Sequence, residues 1–221
     1  SIRLAPVAVA AALLFASSLY LLSISSSKKM TTPRILCLHG MGRNAQWLQS
    51  ITTQFSGKLH FLDAPFQLGD SPSSRQWYIR KAPGELEGVD KTIGSVKTFL
   101  AENGPFDGIL GFSQGGSIAS LVLGLSRTSP GEWNHGKPLR FGVFLASGAF
   151  RDASYAEALR QVRDVPTFHA LSEADTYKDE GMDTLALFDP EKAITLWHGE
   201  GHTIPGDEGF AQELNKFIAS Q

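Results

Sequence analysis

From Arg34 onward, short apolar runs alternate with segments of helical period. Residues 34–39 form a compact apolar run that stops at Gly40, the pattern of a buried strand. Gly42 and Asn44 then open a segment with Trp47, Leu48, Ile51 and Phe55 at helical spacing. Residues 58–62 predict a second strand, closed by Asp63-Ala64-Pro65. Val89, Ile93, Val96 and Leu100 mark a helix that Asn103-Gly104-Pro105 ends. Residues 107–112 predict the next strand, and Ile118, Leu121, Val122 and Leu125 the apolar stripe of the helix after it. Residues 141–146, 166–171 and 193–197 predict three further strands, and Phe210, Leu214, Phe217 and Ile218 a closing helix. Strands alternating with helices predict an α/β fold: a mostly parallel central sheet covered by helices on both faces. The stretch 66–88 breaks the pattern. It is rich in Gly, Pro and Ser and also holds Trp77 and Tyr78, so it predicts a long loop or small lid rather than a core element.

Ahead of this pattern lies a different object. Residues 4–24 carry no charge and are mostly Ala, Leu and Val, preceded by Arg3 and followed by Lys28 and Lys29. The run is long enough to cross a bilayer as a helix, which takes about 20 residues. Three readings stand: a membrane anchor, a secretory signal whose apolar stretch exceeds the usual ~7–15 residues, or an extension outside the working protein, with Met30 as a natural start. If the segment spans, the basic flank at 28–29 puts the following domain in the cytoplasm. On any of the three, residues 1–29 stand apart from a domain at 34–221. With 221 residues, the chain holds one well-buried domain and no second enzyme domain. A net charge of −2 without a basic patch speaks against a nucleic-acid partner. The single cysteine, Cys37, excludes an intramolecular disulfide framework; within its apolar run it reads as a buried, inert thiol.

Candidate chemistry gathers at the strand ends. Gly111-Phe112-Ser113-Gln114-Gly115 matches G-x-S-x-G, follows a predicted strand and opens a predicted helix. That is the setting of a nucleophile elbow, whose turn is too tight for side chains at the glycine positions. Ser113 then sits over a helix N-terminus, where unpaired N–H groups favour a developing oxyanion. Acyl transfer needs two such donors. One is the N–H of Gln114; Met41, in the His39-Gly40-Met41-Gly42 loop after the first strand, supplies the other. His39 itself reads as structural.

Of six histidines, those near strand C-termini can face Ser113, because ligands gather at that edge of an open α/β sheet. His202 lies in a short loop before the last helix, with Gly199 and Gly201 before it and Pro205 after it. It is favoured over His198, a strand-end residue less free to reach across. His135 reads as solvated, His169 as core, and His60 lies within the second strand. Asp175, after the strand 166–171, completes the order Ser, Asp, His; Glu173, Asp179 and Asp183 are its solvated rivals. The mechanism so read needs no cofactor, and the sequence lacks metal-ligand spacing such as H-E-x-x-H.

Taken together, the run 34–40, Asn44, Phe61-Leu62-Asp63-Ala64-Pro65, the GFSQGG elbow and the GHTIP loop resemble the FSH family of serine hydrolases. That family includes the ovarian-tumour-suppressor-candidate hydrolases and some fungal thioesterases that release polyketide acyl chains. The resemblance covers about residues 34–220. It implies a small α/β-hydrolase with little or no separate cap, acting on esters or thioesters, with Ser113, Asp175 and His202 at the triad positions. Two departures stand out: Ser172-Glu173 where the family usually has Gly-Glu before the acid, and Glu200 where a glycine is common. The expected partner is a small-molecule ester or thioester, in a pocket assigned to Met41, Phe112 and the 66–78 stretch, including Phe66, Trp77 and Tyr78. Membrane contact would run through residues 4–24. Two alternatives use the same residues differently: an acyltransferase working through the same serine, and a non-catalytic binding protein of hydrolase fold.

Overall fold

A computed structural model describes residues 31–82 and 84–221. The apolar run at 4–24 and its membrane reading lie outside the described residues. Among the described residues no helix is long and apolar enough to cross a membrane.

Six parallel strands form the central sheet in the order β10-β9-β8-β7-β1-β2. They are β1 (Arg34–Leu38), β2 (Lys58–Leu62), β7 (Gly108–Phe112), β8 (Phe141–Leu145), β9 (Thr167–Ser172) and β10 (Ala193–His198). The near-continuous apolar composition of the inner strands β1, β7 and β8 follows from burial on both faces. Side chains alternate between two cores. Leu36, Leu38, Ile109 and Phe144 pack on one side, and Ile35, Cys37, Leu110, Phe112, Val143 and Leu145 on the other. The first core is covered by α2 (Val89–Asn103), α3 (Gln114–Thr128) and α4 (Ala156–Arg160), and the second by α1 (Ala45–Ile51) and α6 (Glu208–Ala219). α5 (Lys178–Leu185) follows β9. The predicted stripe of α6 is buried as expected, with Phe210, Leu214, Phe217 and Ile218 all in the second core. Asn44 starts α1 by accepting the Trp47 N–H at 2.8 Å, and Asp207 caps α6 through the Phe210 N–H at 2.9 Å.

The chain enters the sheet one strand in from an edge, adds β2 at that edge, then crosses back to β7 and continues to the other edge. Strand order therefore reverses between β1 and β7, and the crevice beyond their C-terminal ends is where such sheets bind ligands. Leu38 pairs in register with Gly111, so the loop leaving β1 and the turn leaving β7 are neighbours.

The stretch 66–88 is a correction. It folds as two antiparallel hairpins, β3 (Phe66–Leu68) with β4 (Ser71–Gln76), and β5 (Ile79–Ala82) with β6 (Glu85–Glu87). Trp77 and Tyr78, at the junction between them, are buried in the first core. The polar hairpins carry no apolar alternation to announce them. What fixes them is long-range: Trp77 Nε1 donates to the His39 carbonyl at 2.7 Å, Tyr78 Oη meets Ser117 Oγ at 2.9 Å, and Thr92 Oγ1 donates to the Trp77 carbonyl.

Candidate active site

Ser113 sits between β7 and α3 at φ 52°, ψ −121°. A non-glycine residue at positive φ is uncommon and strained. Three N–H groups, from Gly116 (2.9 Å), Ser117 (3.4 Å) and Gly148 (2.9 Å), converge on its carbonyl, and its own N–H donates to Leu145 O at 3.0 Å. The glycines are required by backbone-on-backbone contact. A Cβ on Gly111 would lie 2.4 Å from Gly115 O, and one on Gly115 would lie 2.2 Å from Leu38 O. The turn is thus pressed against the end of β1, next to the loop that carries Met41.

The side chain of Ser113 meets His202. Nε2 of the imidazole is 2.9 Å from Ser113 Oγ, and Nδ1 is 2.8 Å from Asp175 Oδ2. An ionised carboxylate can only accept, so Nδ1 carries the proton and Nε2 is left to accept from the serine hydroxyl. The other oxygen of Asp175 accepts the Tyr177 N–H at 2.7 Å. The aspartate side chain is 4% exposed and the histidine 27%, so the carboxylate is shielded while the imidazole opens on the cleft. Rings of Phe112 and Tyr177 flank the imidazole, with centroids at 5.5 Å and 4.9 Å.

The loops carrying Asp175 and His202 are tied together by one hydroxyl. Ser172 Oγ, buried at the end of β9, accepts the N–H of Gly201 at 3.0 Å and of Ala174 at 3.2 Å. Ser172 is one of the two positions at which the chain departs from the family pattern, and sequence reasoning gave it no role.

On the opposite side, the loop after β1 is fastened to β4. Gly42 N–H donates to Arg75 O at 2.8 Å, Arg75 N–H to Arg43 O at 3.1 Å, and Asn44 Nδ2 to Ser73 O at 2.9 Å. Among the described residues, neither the Met41 nor the Gln114 backbone N–H donates to another group. Both residues line the same cleft as Ser113 and His202. The Gln114 side chain reaches the other way: its Oε1 accepts the Trp77 N–H at 2.7 Å and its Nε2 donates to Tyr78 O at 2.9 Å. The elbow therefore clamps the junction of the two hairpins.

His39 is structural, as read. Its Nε2 accepts the Ala64 N–H at 3.0 Å, so Nδ1 carries the hydrogen and donates to Gly40 O at 2.8 Å. Burial lowers its pKa, against weaker raising effects from the Gly40 carbonyl and Asp63. His169 is buried in the first-core side of the sheet, stacked on Phe144, and burial lowers its pKa to about 3. His198 ends β10 and accepts the Glu200 N–H at 3.3 Å through Nδ1; His135 is exposed. Glu173, Asp179 and Asp183 are exposed. Cys37 is buried and free, with its thiol pushed well up by burial. Among the described residues no group of three or more His, Cys, Asp or Glu is placed to hold a metal ion.

The cleft has a volume of about 330 Å³ and is lined by Met41, Tyr78, Arg80, Ser113, Gln114, Gly148, Tyr177, Glu180 and His202. This corrects the pocket expectation in part. Met41 and Tyr78 line it. Phe112 instead packs against Trp47 and His202. Trp77 is buried beneath it. Phe66 packs at the far hairpin, where a Cβ on Gly88 would lie 2.4 Å from its ring and Lys91 sits over it. Arg80, Gly148, Tyr177 and Glu180 were not anticipated, since only tertiary folding brings them to the serine.

The profile of the family described as "Serine hydrolase (FSH1)" matches residues 28–214. The chain belongs to the FSH1 serine hydrolase family. Within curated proteins, this FSH1 family member is similar to "Esterase FPY3" of Fusarium mangiferae, 28% identical over 78% of this chain and 88% of that protein. It is also similar to "Rhodanese-like domain-containing protein 6" of Arabidopsis thaliana, 29% identical over 84% of this chain. The FSH1 chain spans 38% of the length of that plant relative. Among solved structures it superposes on a Bacillus cereus carboxylesterase with a TM-score of 0.61 at 16% identity, covering 91% of this chain and 98% of the other. At that identity the likeness establishes the α/β-hydrolase fold.

Proposed function

We propose that this FSH1-family chain hydrolyses small-molecule carboxylic esters or thioesters through an acyl-enzyme on Ser113. The observation that carries the reading is the continuous relay from Ser113 Oγ through His202 to Asp175, at 2.9 Å and 2.8 Å, opening on a cleft. The esterase name of the Fusarium relative supports the same reaction class.

In this reading His202 Nε2 takes the Ser113 proton as Oγ bonds to the acyl carbon. The N–H groups of Met41 and Gln114 hold the oxyanion. The imidazolium, steadied by Asp175, protonates the leaving alkoxide or thiolate as its bond to the acyl carbon breaks. A water molecule then gives its proton to Nε2 and its oxygen to the acyl carbon, freeing Ser113 and a carboxylic acid. Hydrolysis is favoured over transfer to another acceptor, because the family is one of hydrolases. The aligned relay speaks against a purely binding role.

The test is covalent labelling with a fluorophosphonate. The chain should label at Ser113, lose all label in Ser113→Ala, and hydrolyse p-nitrophenyl esters or acyl thioesters. A folded chain that neither labels nor hydrolyses any member of such a panel would overturn the reading.

A further inference from the structure

One wall of the cleft is charged. Arg80 on β5 and Glu180 on α5 line the same cavity as Ser113 and join through two hydrogen bonds, Nη1 to Oε1 at 2.9 Å and Nη2 to Oε2 at 3.2 Å. The same Oε2 also accepts the Ala149 N–H at 3.4 Å. The glutamate side chain is 17% exposed and the arginine 49%. Paired with an arginine in this way, the glutamate stays ionised, its pKa lowered chiefly by the guanidinium hydrogen bonds. A fork-to-fork pair of this kind fixes geometry as well as charge. It links the double hairpin to the helix that follows the candidate acid, the two elements between which the cleft lies.

Arg80 also faces a second cavity. A neighbouring space of about 290 Å³ is lined by Arg80 together with Lys81, Leu86, Ala149 and Arg151, among others. Arg80 is the one residue common to the two linings. Arg80 therefore borders both the cleft that holds the serine and an adjoining space that does not.

The direction of the substrate follows from the proton. The leaving group must depart beside His202, which protonates it, so the acyl chain extends away from the imidazole. The lining residues that are neither at the serine and the proposed oxyanion amides nor beside the imidazole are Tyr78, Gly148, Arg80 and Glu180. An alkyl chain long enough to reach the pair would have to strip water from two charges without replacing their hydrogen bonds.

We propose that the Arg80–Glu180 pair is a chain-length gate: it closes the acyl end of the cleft, sets a short-chain preference, and when removed lets the acyl chain pass into the adjoining cavity. The proposal rests on the Ser113 acyl-enzyme reading and specifies its substrate class as esters or thioesters of short acyl groups.

The experiment is a series of p-nitrophenyl esters from acetyl to dodecanoyl, which holds the leaving group constant. The wild-type chain should prefer the short members. Arg80→Ala should raise the ratio of long-chain to short-chain kcat/KM by about 10-fold or more, the scale on which one accommodated methylene counts in an apolar pocket. Glu180→Gln leaves the arginine in place but unpaired, and should move the ratio the same way by less. The exchanged pair, Arg80→Glu with Glu180→Arg, should restore the short-chain preference. Fluorophosphonate labelling of each variant reports an intact serine centre. If the wild type labels and hydrolyses but the profile is the same in Arg80→Ala and Glu180→Gln, the gate is refuted and the serine reading stands. If the folded wild type neither labels nor hydrolyses, the serine reading falls and the gate falls with it.

Discussion

The side chain of Gln114 offers the sharpest quantitative test of how the cleft is held. It satisfies two main-chain groups of the hairpin junction, the Trp77 N–H and the Tyr78 C=O, in residues buried to 0% and 1% exposure. Gln114→Met keeps the length of the side chain and its backbone N–H but makes neither bond. Each buried group left without a partner costs about 1–3 kcal/mol, so the pair costs about 2–6 kcal/mol. In a domain of this size each kcal/mol moves the thermal midpoint by about 2–4 °C, which places the expected fall near 8–16 °C at the middle of that range. Thermal unfolding followed by intrinsic fluorescence reads the shift. Ester hydrolysis should fall as well, because Tyr78 and Arg80 leave their places in the cleft lining. Gln114→Glu sharpens the test. Its carboxylate can still accept from Trp77 but faces the Tyr78 carbonyl, so its folded-state pKa is raised above the unfolded value. The stabilising contribution is then present at low pH, where the carboxyl donates to that carbonyl, and is lost as pH rises through the folded pKa. A Gln114→Met midpoint within about 2 °C of wild type, against the range just given, would refute the clamp.

Two further outcomes follow from other buried groups. Ser172→Ala removes the oxygen that accepts from Gly201 and Ala174, and should lower kcat about tenfold, equivalent to about 1.4 kcal/mol, with KM little changed. It should also slow fluorophosphonate labelling in proportion; unchanged kinetics would show that the two loops hold their spacing without it. His169 takes up its proton near pH 6.5 when unfolded and only near 3 when folded, because burial opposes the charge. Between those values the unfolded chain binds the extra proton, so stability is fully present above about pH 6.5 and falls with acidification by about 1.4 kcal/mol per pH unit for each such group. His39 acts in the same direction. Denaturant midpoints measured from neutral to mildly acid pH should show this slope, and His169→Leu should flatten it; an equal slope in the variant would rule His169 out as a source.

The sheet was legible because buried parallel strands write themselves as unbroken apolar runs. Residues 35–38, 108–112 and 141–145 are apolar or glycine, and buried, at every position. The elbow was legible because steric crowding leaves a glycine signature that chance seldom places between a strand and a helix. The double hairpin was not, since β4 reads Ser-Pro-Ser-Ser-Arg-Gln and the junction after it is held by distant bonds, such as that of Trp77 to His39, 38 positions away. α5 escaped for a related reason: Lys-Asp-Glu-Gly-Met-Asp-Thr-Leu offers no apolar stripe, and its inner face is set by Gly181 and Thr184. The cleft walls were the least legible part. Arg80, Gly148 and the Tyr177–Glu180 turn belong to three different segments, and no local pattern joins an arginine on one hairpin to a glutamate a hundred positions later.

The contact between Gly115 and the end of β1 has a consequence for how such a catalyst can diversify. Gly115 lies main chain on main chain against Leu38 and His39, in the turn beside Gln114 and at the strand end that leads to Met41. If the amides of Met41 and Gln114 hold the oxyanion as proposed, cleft-facing side chains on the hairpins and on α5 can exchange size or charge, and so retune which acid is released, without disturbing that main-chain contact. Selectivity and turnover chemistry are in this sense separately adjustable properties of one small scaffold.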